Sequence, residues 1–343
     1  MKILVVKRDK IGDLLLTTPF IAHLARALPQ AAIHVLANDY NAFVVAGNRD
    51  VARTWVYRRT RHAGGVRIGA ALGQVRQFFA LRAEGFDVAI AAGGEESPRA
   101  IRRAIAAGAR RTIAYAPSPH GYGARLTDPL PPPEAGHEVE RIFGLAVPLG
   151  VAPPAVSPLP QFEPPAAWLA AARAWLTTAG IAPGGYVVVG LSARDAAKVP
   201  AVAQVLRWAA RLERDHGLVT LLQFTPGDAG NALYPGSEAL ARQVLERAPA
   251  RLLGMPDGLP AAIGLIHLAR TSILPDSGLM HFGAASPGGV AGLFADCARL
   301  ASPARWGPRG ARAVTLEAPR AVAELDDEAV FAALARLLRP AAG

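Results

Sequence analysis

Residues 2–20 read "KILVVKRDKIGDLLLTTPF", and the order of their properties decides the fold. The run "ILVV" (3–6) is apolar on both faces, as a strand buried in a parallel sheet must be. A charged turn containing Gly12 and ending at Asp13 follows. Beyond it Leu14, Leu15, Pro19, Ile21, Leu24 and Leu28 fall largely on one side of a helix expected over 14–28. Strand, turn and helix in that order open a βαβ unit. Asp13 then has two readings. It caps the helix, because a carboxylate accepts hydrogen bonds from free backbone N–H groups at a helix start. It also stands at the carboxyl end of a first parallel strand, where open α/β sheets place their ligands.

Outward from this stretch the same alternation continues. Strands are expected at 32–37, 51–56, 86–92 and 111–116, with helices near 68–83 and 97–107 between them. Residues 147–166, "VPLGVAPPAVSPLPQFEPPA", carry seven prolines. Proline removes a backbone donor and blocks a helix interior, so this stretch reads as a connection between domains. The pattern then restarts. Helices are expected near 166–179, 198–215, 236–248, 259–269 and 326–338. Strands are expected at 186–192, 218–224, 250–254, 272–278 and 288–294. The expectation is an α/β protein of two facing, Rossmann-like, doubly wound domains, 1–160 and 161–343.

Composition narrows the function. A chain of 343 residues with 51% hydrophobic content buries a large core. Its one cysteine, Cys297, excludes an intramolecular disulfide framework and points to a reducing compartment. The apolar run at the N-terminus falls short of the roughly 7–15 residues of a signal peptide. No apolar stretch reaches the ~18 residues of a membrane span. A cytoplasmic protein is expected. The net charge of +10 is uneven, with 20 Lys and Arg against 12 Asp and Glu in residues 1–150 and 17 against 15 in the remainder. A basic first half points to an anionic partner. An Arg-rich composition explains part of it, since only Lys2, Lys7, Lys10 and Lys198 are lysines.

Several chemistries lack their signatures. No strand is followed by G-x-G-x-x-G, no G-K-[ST] of a P-loop is present, and no G-x-S-x-G elbow occurs. The histidines never fall at H-x-x-x-H spacing and one cysteine cannot build a zinc cage. No nucleic-acid-binding module is present and aromatics are sparse at 6%. No metal, cofactor or nucleic-acid partner is expected, which leaves nucleotide binding through helix N-termini.

Three stretches in order along the chain resemble glycosyltransferase family 9, the bacterial heptosyltransferases of the lipopolysaccharide inner core. They are "KRDKIGDLLLTTPFIAHLARALP" (7–29), "HEVERIFGLAVPLG" (137–150) and "LPDSGLMHFGAA" (274–285), the last with "LF" at 293–294 and "ARWGP" at 304–308. The resemblance implies a GT-B fold and an inverting transfer from a nucleotide sugar, typically ADP-heptose. It implies Asp13 as general base, with Lys7 and Gly12 in the same acceptor-side motif. The donor would be held in the second domain. There Ser277 and the amides of Gly278 and Leu279 meet the phosphates, although Ser277 also reads as an ordinary N-cap. Asp276 would hold a sugar or ribose hydroxyl, and Lys198 would neutralise the diphosphate. His281, one turn further in, is either a phosphate donor or a packed histidine. Ser192 and Arg194 share the loop of Lys198, and Arg194 is alternatively a solvated side chain. The chain departs from the family in lacking a tryptophan beside Lys198 and Pro200. It also carries Ala295, Asp296 and Cys297 where glycine and proline are usual.

Two basic stretches, "RRTRHAGGVR" (58–67) and "RAIRRAIAAGARR" (99–111), make Arg58, Arg59, Arg61, Arg102 and Arg103 candidates for docking an anionic glycolipid acceptor. A solvated arginine-rich surface is the alternative. Such an acceptor implies peripheral contact with the cytoplasmic face of the inner membrane. Two other readings stay open at this point. One is a GT-B-fold sugar-nucleotide epimerase or hydrolase. The other is a non-catalytic protein that binds sugar nucleotides or nucleic acid.

Overall fold

The computed structural model describes residues 1–58, 61–62, 65–66, 68–227, 235–248 and 251–339, with backbone only at 61–62, 65–66, 68–72 and 74. Contacts divide the chain into two compact units, Met1–Gln161 and Phe162–Gly343. Among the described residues each unit is built on one six-stranded parallel sheet with helices against it.

In the first unit the strands are β1 (Lys2–Val6), β2 (Ala32–Asn38), β3 (Arg53–Tyr57), β4 (Val88–Ala91), β5 (Arg111–Tyr115) and β6 (Asp128–Leu130). Their order across the sheet is β3-β2-β1-β4-β5-β6, so the direction of winding reverses between β1 and β4. Ile3 to Val6 are fully buried, as the four consecutive apolar residues of a central parallel strand require. Leu4, Val6, Leu36, Trp55, Phe86, Ile101 and Ala104 fill one core layer. The sixth strand was not legible in the sequence. It is three residues long, contains Pro129 and lies at the sheet edge, where a missing backbone donor is tolerated.

The helix expected over 14–28 is instead two, α1 (Ile11–Leu15) and α2 (Thr18–Ala27). Pro19 lies in the first turn of α2 and cannot donate a backbone hydrogen bond back into α1. The Thr17 and Thr18 hydroxyls donate to the carbonyls of Asp13 and Leu15, both at 2.8 Å. The break therefore leaves no carbonyl of that turn stranded. The remaining helices are α3 (Ile68–Ala83), α4 (Pro98–Ala106) and α5 (Glu138–Phe143). A 3₁₀ turn over Gly144–Leu149 then takes in Pro148, so the proline-rich stretch begins as a tight helix before running irregularly. It is tied back to the first unit where Ala152 O meets His23 Nε2 at 2.8 Å.

The second unit repeats the plan. After α6 (Ala166–Thr178) come β7 (Tyr186–Gly190), α7 (Val202–His216), β8 (Val219–Gln223), α8 (Glu238–Leu245), β9 (Leu252–Gly254) and α9 (Leu259–Leu268). Then follow β10 (Thr271–Pro275), α10 (Gly278–Ala284), β11 (Val290–Ala295), α11 (Pro303–Trp306), β12 (Ala313–Ala318) and α12 (Asp327–Leu338). The sheet order is β9-β8-β7-β10-β11-β12, with its reversal between β7 and β10. Here too the edge strand, β12, escaped the sequence reading, because its half-exposed residues lack the fully apolar signature of its neighbours. No helix among the described residues is long and apolar enough to cross a membrane.

Candidate active site

Ligands bind in doubly wound sheets outside the carboxyl ends of the strands, at the point where strand order reverses. In the first unit that point lies between the loops that leave β1 and β4. The loop after β1 is Lys7–Lys10, leading into α1. Asp13 is the third residue of α1 rather than its cap, because the helix starts at Ile11. The cap position therefore moves to Lys10, while the Asp13 carboxylate still meets a free backbone N–H of the helix start. Asp13 Oδ2 reaches back one turn and accepts the Lys10 backbone N–H at 3.0 Å. Gly12 is buried beside it in the same turn.

Asp13 is half-buried. Burial pushes its carboxyl above the usual carboxylate range. The nearby Lys7 ammonium opposes this, as does the Lys10 amide, whereas the charges of Asp9 and Glu138 add to it. A base with a raised affinity for protons is what proton removal from a sugar hydroxyl requires. Lys7 is not a surface cation. Its side chain is 2% exposed and its Nζ lies 3.7 Å from Asp9 Oδ2 and 3.8 Å from Glu138 Oε1. Its ammonium is turned inward between two carboxylates rather than presented to solvent.

In the second unit the corresponding loops follow β7 and β10. Gly190, the last residue of β7, permits their approach. A Cβ there would fall 2.8 Å from Leu274 Cδ2 and 3.0 Å from Pro275 Cδ. Lys198, at the end of a short 3₁₀ turn, donates from Nζ to Asp276 Oδ2 at 2.5 Å, both side chains largely buried. The two residues expected to act separately thus form one ion pair. An ammonium has three donors, and this contact uses one. Ser277 stands at the N-cap position of α10 with extended backbone and makes no side-chain cap bond. Gly278 and Leu279 begin the helix behind it. His281 is buried within α10. Ser192 Oγ accepts from Gln223 Nε2 at 3.2 Å and from Thr225 Oγ1 at 2.9 Å, and lies 3.4 Å from Ser237 Oγ. Arg194 is exposed. Among the described residues no cluster of three or more His, Cys, Asp or Glu is placed to hold a metal ion.

The family model of glycosyltransferase family 9 (heptosyltransferase) matches residues 75–331. The chain belongs to this family. A search of curated protein sequences finds no match. Among solved structures, a glycosyl transferase family 9 protein from Veillonella parvula is similar with a TM-score of 0.82 at 18% identity, over 98% of this chain and 97% of that one. Escherichia coli ADP-heptose lps heptosyltransferase II gives 0.74 at 19%, covering 98% of each chain. E. coli heptosyltransferase WaaC with ADP gives 0.71 at 20%, over 97% of this chain and 98% of that one. At these identities the likeness establishes the fold, which is of the GT-B type expected.

The arginines expected to dock an acceptor have different surroundings in this family 9 chain. Arg58 is exposed just after β3, and Arg102 is exposed on α4. Arg103 is half-buried, with its guanidinium 3.8 Å from the centroid of the Tyr57 ring. This cation–π contact joins the two basic stretches, since Tyr57 directly precedes Arg58. The backbone of Arg61 pairs with Val66 in a two-residue hairpin, whereas Arg59 and the Arg61 side chain lie outside the described residues.

Two features went unread in the sequence. Glu138, at the first position of α5, looks like an acidic residue favouring a helix start, yet it is 2% exposed and accepts the Gly94 N–H at 2.8 Å. A groove of about 320 Å³ also lies beyond the carboxyl ends of β8 and β9, lined by Phe224, Glu238, Arg242 and Asp257 among others. Ser237, which adjoins it in sequence, links it to the Ser192 network. The strand-end phenylalanine and acidic helix start that form it read separately as ordinary structure.

Proposed function

We propose that this family 9 protein is an inverting glycosyltransferase. In this reading it moves a heptose or related sugar from a nucleotide sugar of the ADP-heptose kind to a lipopolysaccharide core acceptor, at the cytoplasmic face of the inner membrane. The observation that carries the reading is Asp13, a half-buried carboxylate at the switch point of the first sheet, held by the Lys10 amide and disposed by burial to take a proton. Two similar structures, E. coli ADP-heptose lps heptosyltransferase II and E. coli heptosyltransferase WaaC with ADP, support the donor class.

The chemistry follows from the residues. Asp13 accepts the acceptor hydroxyl's proton while that oxygen bonds to the anomeric carbon. The bond from that carbon to the diphosphate oxygen breaks on the opposite face, and the nucleoside diphosphate departs with the electron pair. Negative charge grows on the leaving group. In this reading Lys198, with two donors beyond its Asp276 contact, and the amides of Gly278 and Leu279 meet that charge. No divalent metal enters this scheme. The arginines around Tyr57 and Arg102 supply the docking charge for an anionic acceptor.

The test is incubation with ADP-heptose and a panel of other nucleotide sugars, with and without a heptose-free core glycolipid. Nucleoside diphosphate release and glycolipid mass are followed together. Release that requires the acceptor, with a matching gain in glycolipid mass, is expected. Alteration or hydrolysis of the donor at the same rate without acceptor overturns the assignment in favour of an epimerase or hydrolase.

A further inference from the structure

Three separate elements converge on one buried carboxylate in the first unit. Glu138, from α5, lies 3.8 Å from Lys7 Nζ of the loop after β1 and accepts the backbone N–H of Gly94, from the loop after β4. Gly94 leaves no slack for it. A Cβ at that position would fall 2.4 Å from Glu138 Oε2. The helix carrying Glu138 is itself fixed, because Tyr115 Oη, at the end of β5, donates to the Arg141 carbonyl at 2.5 Å. These loops flank the switch point, and the first of them leads directly into the turn that carries Asp13.

An ammonium as deeply buried as that of Lys7 is costly unless paired, and removal of its partner leaves an uncompensated charge. Asp9 is the other carboxylate within ion-pair distance, and it is itself engaged by Arg8 at 3.8 Å. We propose that Glu138 and Lys7 are positioning residues for Asp13. On this view Glu138 anchors the Lys7 ammonium, and the anchored pair sets the charge that Asp13 experiences in the reaction. The inference rests on the reading of Asp13 as the base, and extends it to a helix that the reaction itself does not touch. The charges that act on Asp13 are those of Lys7 and Asp9 from its own loop and of Glu138 from α5, and its carboxylate accepts the Lys10 amide. Lys7 favours the Asp13 carboxylate and Glu138 disfavours it, so loss of each has an opposite sign.

Aspartate carboxyls labelled with ¹³C in the full chain report this directly, the Asp13 resonance being the one lost in Asp13→Asn. Glu138→Gln is expected to lower the midpoint of the Asp13 titration, and Lys7→Met to raise it by more, since the lysine acts more strongly on Asp13 than the glutamate does. The acid limb of kcat/KM should follow each midpoint. A purely structural ion pair would weaken both variants without displacing Asp13 in opposite directions. Circular dichroism establishes that each variant is folded, and if one single variant is not, the other carries its own sign. An unmoved midpoint in a folded variant overturns the inference. A midpoint that moves while the pH profile stays still supports the electrostatic role of the pair and removes Asp13 as the base, which separates the two failures.

Discussion

Asp13, the proposed base, carries a structural cost. Because burial raises its proton affinity above that of an unfolded aspartate, its ionised form is disfavoured in the folded chain. The stability associated with Asp13 is therefore fully present below the ordinary carboxylate range. It is lost as pH rises from there through the raised value. Asp13→Asn retains an oxygen to accept the Lys10 amide but has no charge to bury. It should melt higher than the wild type at neutral pH and converge with it in acid. The same variant should lose about 10²–10⁴ in turnover as the proton acceptor disappears. Thermal melts across pH together with kcat measurements check both halves. Turnover within a few-fold of wild type, or a lower melting temperature at neutral pH, contradicts the account.

At the scale of elements, the second unit brings the loops after β7 and β10 together through Lys198 and Asp276. Lys198→Ala removes a charge-assisted contact, of the kind that contributes roughly 1.5–3 kcal/mol, and leaves Asp276 negative beside the phosphate position. ADP should bind about 10–150-fold more weakly by calorimetry, the range that this free energy converts to. Because part of that loss is repulsion from the orphaned carboxylate, Lys198→Ala/Asp276→Asn should recover some affinity. A double variant no tighter than the single one would place Asp276 away from the phosphates. In the same scheme the loop amides and Lys198 carry the charge that a divalent ion otherwise supplies. Turnover should therefore persist in EDTA, and its complete loss with restoration by Mg²⁺ would require a metal.

For the whole molecule, the excess of basic residues in the first half is concentrated where Arg58 follows β3 and Arg102 and Arg103 project from α4. If these arginines dock an anionic acceptor, their attraction is screened as the Debye length shortens to about 8 Å at physiological ionic strength. Neutralising Arg58, Arg59 and Arg61, or Arg102 and Arg103, should raise the acceptor KM at low salt and leave the donor KM unchanged. Arg102 alone should give most of the second effect, because Arg103 is committed to the Tyr57 ring. An unchanged acceptor KM in both variants at low salt would return these residues to a solvated surface.

What the sequence determined by itself was local. Runs such as "ILVV" and "YVVVG" announce buried parallel strands because apolarity on both faces has no other stable setting. Asp13, Lys198 and Asp276 could be singled out as candidates because they lie in segments that follow such strands and because those segments resemble family 9. The edge strands β6 and β12 were not, since half-exposed segments have no such signature. The break between α1 and α2 turned on the competition between Pro19 and an otherwise continuous amphipathic pattern. Only the tertiary structure decided which loops meet. Lys198 and Asp276 are 78 positions apart and Gly94 and Glu138 are 44 apart, and no local periodicity records either pairing. Strand order supplies them. With β1 beside β4 and β7 beside β10, the sheet brings distant loops to one end of its central strands. There a glutamate that reads as a helix start becomes the buried partner of a lysine.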